Sequence, residues 1–364
     1  MKLETLLPLG KVDPGLREPG TPFDFSRLVH DAQLLESLGY DALMFEETKQ
    51  DPFICLGIAA EATKTLGIGT AVAIAFPRSP AVTALSAWTL QKISRGRFTL
   101  GLGTQVRAHI ERRFGGHWHP PGPWMREYVL AVREIWSAWQ ENRQPAFAGK
   151  HYTINLNVPL FDPGPIEHPN IPIHLAAVNP YMCQVAGEVA DGLRPHPVCT
   201  PHYIETVMWP AVRAGAAKTG RRLDDFSMSI KPLVATAPTP ALLAERVRDV
   251  RARVAFYAST PAYRAAFDAH GLGALADELK LLSRAQRWED MPQHITDEVL
   301  NLYATVGTYD VIAEKLAARY GELVTHAEFS IPVNNETDAE ILRRMVARLR
   351  QAEPRAAVRT GAAD

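Results

Sequence analysis

Apolar and polar positions along this chain follow two rhythms that take turns. Short β-type runs at 1–7, 42–45, 68–75, 98–103, 173–177, 192–194, 227–234 and 324–331 are separated by stretches with apolar residues at helical spacing. In 25–38, Leu28, Val29, Ala32, Leu35 and Leu38 share one helical face, and Gly39 follows as a stop. Further helices are predicted at 52–64, 81–93, 127–140, 181–190, 202–218, 241–255, 308–320 and 338–350. Asp51 stands before Pro52 as an N-cap with proline in the first turn. The run 68–75 is apolar without alternation, as expected of a strand buried on both faces. Eight strand–helix units in succession predict an α/β fold of the (β/α)8 TIM-barrel type rather than an open sheet.

Two stretches break the alternation. Residues 104–170 hold a long loop and a small hairpin at 145–158, and residues 235–305 hold several short helices. Both are expected around the barrel mouth. One domain is predicted over 1–352, and the polar, Ala-rich segment 353–364 is expected to fray.

Composition narrows the function classes. The 364 residues carry a net charge of -1, with 46% hydrophobic and 22% charged residues, the mix of an ordinary soluble protein. Basic residues are scattered, so no electrostatic footprint for nucleic acid is visible. No run of about 18 apolar residues predicts a membrane span. The first residues hold only a short apolar run and an early acid, Glu4, unlike a signal peptide. A cytoplasmic protein is expected, with Cys55, Cys183 and Cys199 as separate reduced thiols in apolar surroundings. Many barrels dimerise, which leaves room for a homodimer.

In such a barrel the site lies where the strands end. That rule nominates Glu46, Glu47, Thr48 and Lys49 after strand 2, and Ile74, Phe76, Pro77 and Arg78 after strand 3. It nominates Gly103, Thr104, Gln105 and Arg107 after strand 4, Val178, Asn179 and Pro180 after strand 5, and Pro195 and His196 after strand 6. Asn179 can cap the helix that follows, and free N–H groups there could hold a phosphate; a plain cap without ligand is the alternative. Lys49, Arg78, Arg107, Arg112 and Arg113 would suit an anionic tail, or form a solvated charged face. Gly101-Leu102-Gly103 lacks the third glycine of a dinucleotide fingerprint, and these glycines are expected to let a cofactor ring approach the backbone. His117-Trp118-His119 lies in a proline-containing loop rather than at a strand end, so no metal site is predicted. No GxSxG elbow anchors a serine hydrolase.

Several of these strand-end segments resemble one family. Ser94-Arg95-Gly96-Arg97-Phe98-Thr99-Leu100-Gly101-Leu102-Gly103-Thr104 is similar to a stretch of the bacterial luciferase-like superfamily. So are Ile171-Pro172-Ile173-His174-Leu175-Ala176-Ala177 and Ala186-Gly187-Glu188-Val189-Ala190-Asp191-Gly192. Glu47-Thr48-Lys49-Gln50-Asp51-Pro52-Phe53 and the segment 103–114 resemble its branch of coenzyme F420-dependent oxidoreductases. The resemblance implies a deazaflavin across the barrel mouth and hydride transfer at its C5 to or from a small organic substrate. It implies a non-proline cis peptide at Ala71-Val72 pressed against the ring. It implies that Ala176, Ala177, Val178 and Asn179 hold the ribityl chain and phosphate, although relatives often carry glycines where Val178 and Asn179 stand. Ile74, Arg78, Thr104, Gln105, Arg107 and His196 complete the expected cofactor contacts. Glu47 falls where relatives often carry Asp or His near the reactive carbon, and could relay a proton. Val106 replaces an acid found in sugar-phosphate dehydrogenases of the branch, which speaks against that substrate. His109, with Trp118 and Trp124, is a candidate for the substrate pocket and His109 for its chemistry, packing being the alternative. The aromatic insertion around Phe256, Tyr257 and Tyr263 would close over the substrate.

A reduced-FMN monooxygenase on the same fold is the alternative reading. A metal-dependent barrel hydrolase and a non-catalytic binding protein stand further off.

Overall fold

The computed structural model describes residues 1–11 and 22–352; the segment 353–364, where fraying is expected, lies outside the described residues. Eight parallel strands close into a barrel: β1 (Lys2–Leu6), β2 (Ala42–Phe45), β3 (Gly67–Thr70, resumed as Ala73–Ile74), β4 (Phe98–Gly103), β5 (Ile173–Ala177), β6 (Gly192–Pro195), β7 (Ser227–Ile230) and β8 (His326–Glu328). Closure is made by β8 pairing with both β1 and β7, and by β3 pairing with β4. The predicted TIM barrel is thus the observed fold.

Helices α1 (Leu28–Ser37), α2 (Pro52–Ala62), α3 (Pro80–Ile93), α4 (Arg107–Arg112), α5 (Pro121–Gln140), α6 (Pro180–Val189), α7 (Trp209–Thr219) and α8 (Pro240–Ala258) follow in chain order. Local chemistry sets their starts. Asp51 accepts from the N–H of Phe53 (2.8 Å) and Ile54 (3.3 Å), with Pro52 pre-set for the first turn. Ser79 caps α3 and Thr239 caps α8 in the same way. Between helices and barrel lies an apolar layer in which Trp88 is fully buried, 6.3 Å from Trp136 and 5.8 Å from Trp139. Burying a side chain of this kind contributes about 1.5–3 kcal/mol. All three cysteines are free and buried. Among the described residues no helix is long and apolar enough to cross a membrane.

The structure departs from the sequence pattern in several places. The predicted third strand breaks at the cis peptide Ala71-Val72. The predicted seventh strand, 227–234, stops at Ile230, because Pro232 has no N–H to offer a ladder. Beyond it Leu233–Ala237 leaves the barrel and pairs in parallel with Ala304–Thr308, a segment expected to be irregular. The helix expected from 308 starts at Ile312. Finally, the helix predicted at 202–218 contains a π-turn at Ile204–Met208, just before Pro210, where a wider turn relieves the missing N–H.

Candidate active site at the barrel mouth

One ion pair fixes which side chains point into the barrel. Glu4 on β1 and Arg194 on β6 approach to 2.5 Å, both buried, although their strands are separated by β7 and β8. The pair therefore crosses the barrel interior. Side chains alternate along a strand, and paired residues in parallel strands share a face. The register then places Glu46, Lys231, Glu328 and His196 inward, along with Gly69, Ala71, Gly101, Gly103, His174 and Ala176.

This divides the mouth into two unlike walls. On β4 and β5 the last inward residues are Gly103 and Ala176, and Ile74, which pairs with Gly103, ends β3 on the same face. A Cβ on Gly103 would sit 2.5 Å from Cγ2 of Val72 and 3.8 Å from Cβ of Ala176, so the strand-3 break and the end of β5 form one smooth surface. The expectation for Gly101 and Gly103 needs correcting here: the Thr70 carbonyl fills the space beside Gly101 and Val72 the space beside Gly103, and it is Val72 that the wall presents. The facing wall is charged. Lys231 Nζ lies 3.7 Å from Glu46 and 3.5 Å from Glu328, and Lys11 also pairs with Glu46. Burial pushes the Glu328 carboxyl above its ordinary pKa, against the pull of Lys231. Barrel interiors are usually filled by branched apolar residues; this one also holds Glu4, Arg194, His174 and Ser229, all buried. Burial lowers the pKa of His174 well below the histidine range.

Glu47, the neighbour of Glu46, points the other way. Its Oε2 accepts from the Ile74 N–H (2.7 Å) and from Arg78 (2.5 Å), while its own N–H donates to the Val72 carbonyl (3.2 Å). Arg78 continues to Asp51 at 3.0 Å and to the Ile74 carbonyl at 3.2 Å. Glu47 and Arg78 therefore brace the break at Ala71-Val72 from behind. Arg78 is committed to two carboxylates and is not the spare cation the sequence reading expects. Arg107 is likewise paired, with Glu111 at 2.9 Å, and both Arg107 and His109 are exposed on α4. Thr104 and Gln105 are half-buried after β4, with Gln105 at φ +57. Asn179 holds the N-cap position of α6, yet its side chain does not cap; it donates to the Ala262 carbonyl at 3.4 Å.

The two insertions cover opposite sides of the mouth. His196 stacks on Tyr263 (4.1 Å between ring centres) and meets the edge of Tyr257 (4.8 Å), so part of the aromatic insertion sits on the end of β6. The Tyr203 hydroxyl donates to the Val178 carbonyl. Across the mouth Trp124 is buried and stacked on Phe76 at 3.6 Å, with Trp118 against the same ring. Trp124 is thus a packing residue. A cavity of about 220 Å³ opens beside the charged wall, lined by Leu6, Lys231, Leu233, Arg253 and Glu328 among others. The sequence reading missed Lys231 and Glu328. The available signal was a charged residue at an inward position of a run expected to be buried on both faces.

Comparisons with known proteins agree with this architecture. The family model described as luciferase-like monooxygenase matches residues 2–327. An uncharacterised protein of Mycobacterium tuberculosis is 42% identical over 298 residues, covering 82% of this chain and 88% of its own. A 5,10-methylenetetrahydromethanopterin reductase of Archaeoglobus fulgidus is 28% identical, covering 80% of this chain and 85% of its own. Among solved structures, the coenzyme F420-dependent tetrahydromethanopterin reductase of Methanopyrus kandleri superposes with a TM-score of 0.70 at 18% identity, covering 97% of both chains. The oxygenating constituent of 3,6-diketocamphane monooxygenase from Pseudomonas putida, in complex with FMN, has a TM-score of 0.60 at 16% identity, again with 97% of each chain covered.

Proposed function

The chain belongs to the luciferase-like monooxygenase family, whose members are F420- or flavin-dependent oxidoreductases, and we propose that this member moves a hydride between C5 of coenzyme F420 and a small organic substrate. The observation that carries the reading is the smooth wall of Val72, Gly103 and Ala176 set opposite a charged wall. A flat ring can lie against such a wall, because Gly103 and Ala176 add almost no bulk beside Val72 and Ile74.

Bound in this place, the deazaflavin would supply the hydride, chemistry that belongs to the cofactor. The protein's part is to seat, orient and keep dry. Ala71, Val72 and Ile74 form the seat, and Glu47 with Arg78 holds its shape. The end of β5, from Ala176 to Asn179, would carry the ribityl chain and phosphate near the start of α6, where backbone N–H groups favour an anion. Thr104, Gln105 and Arg107 flank it after β4, and His196 with its two tyrosines closes the far side. His109 enters only as a substrate contact from the rim. A putative coenzyme F420-dependent oxidoreductase of Mycobacterium tuberculosis, 27% identical over 78% of this chain, supports F420 over FMN.

Titrating purified protein with F420 and with FMN, followed by fluorescence quenching, tests this. Saturable F420 binding is expected. Tight FMN binding with none for F420 would replace the proposal with a flavin monooxygenase.

A further inference from the structure

We propose that Lys231, held between Glu46 and Glu328, handles the proton that accompanies hydride transfer; this rests on the function proposed above. Three observations converge on it. Lys231 follows β7 and Glu46 follows β2, strands separated by β8 and β1, so the contact spans the mouth opposite the smooth wall. Lys231 and Glu328 line the 220 Å³ cavity, whereas Glu46 does not. Glu47, the acid that the family resemblance favours, is spent on Ile74 and Arg78 and faces away.

The chemistry balances without a further reactant. In the reducing direction the hydride would bring the electron pair of the C–H bond broken at C5 of the reduced cofactor, which is thereby oxidised, into the new C–H bond, and the π electron pair of the substrate double bond moves to its other atom. That atom takes a proton from Nζ of Lys231, whose N–H electron pair stays on nitrogen. Glu328, which burial holds toward its acid form, returns a proton to the amine and is left as a carboxylate beside an ammonium. The oxidising direction runs the same steps backward. The charged groups around this lysine are Glu46, Lys11, Glu328 and, lower in the barrel, Glu4 with Arg194; Glu245, Arg246, Asp249 and Arg253 line the same cavity from α8.

Lysine ¹³C-dimethylation followed by NMR reads the group directly. The resonance missing from Lys231→Arg, or from Lys231→Met should the first variant not fold, identifies the residue. Adding oxidised F420 is expected to shift that resonance and its titration midpoint while leaving the surface lysines unmoved. Glu46→Gln is expected to move its midpoint to lower pH by about one unit, since an opposite charge nearby is lost. F420 quenching is measured on the same samples. If the ring binds and the resonance does not respond, the proton role is wrong and the cofactor reading stands. If the ring does not bind, both fall.

Discussion

Glu46 and Glu47 are chemically identical and adjacent, yet one faces the mouth and the other the back of the strand-3 break. Side-chain direction along a strand has a period of two, so a one-residue difference decides which acid can meet a substrate. Residue types place acids after strand 2, but only the register with β1 and β3 assigns their faces. The same holds for Arg78, whose charge is legible in the sequence and whose two carboxylate partners are not. Replacing Glu47 with Ala should leave the Ile74 N–H without its acceptor and Arg78 with Asp51 as its one carboxylate. A loss of about 1.5–3 kcal/mol is expected in urea unfolding, with weaker F420 binding, since hydrogen bonds to a charged group are the stronger kind. Arg194→Met should cost more, about 3–5 kcal/mol, because it strands the Glu4 carboxylate in the barrel. Adding Glu4→Gln to that variant should restore part of the loss; no recovery would mean that packing, not charge, dominates there.

At the scale of elements, strands β2, β4 and β5 were legible to the residue, because each is a short apolar run between clear breakers. The misread segments have one local and one distant cause: Pro232 turns the chain out of the barrel, and the pairing of Leu233–Ala237 with Ala304–Thr308 joins stretches far apart in sequence. The connection before β3 depends on α1 through one side chain. Glu36 accepts the N–H groups of Lys64, Thr65 and Leu66 and the Thr65 hydroxyl. Burial acts to raise its pKa, but these donors outweigh it and lower the value to about 2. A depressed carboxylate adds stability above its unfolded pKa and loses it as pH falls through the folded one. Unfolding free energy should therefore drop between about pH 4.5 and 2, and Glu36→Gln should flatten that acid limb. An unchanged limb would remove Glu36 from the account.

For the whole molecule, the closed ring and its eight units follow from the alternation of periods, and the composition alone gave no hint of two unlike walls at the mouth. Those walls emerge from the register of eight strands taken together, with small and branched apolar residues gathered on three neighbours and charge on the rest. The pairing outside the barrel sets a limit on how this protein can diverge. Leu233–Ala237 and Ala304–Thr308 run side by side in the same direction, so the chain between them must travel back the length of a strand before it can pair. Such a return takes about a dozen residues or more. Substituting 238–303 with a two-residue turn should leave no foldable protein, while a return of about 15 residues should keep a cooperative melt by circular dichroism. Descendants of this chain can rewrite the cover over their chemistry freely in sequence, but below that length they cannot shed it.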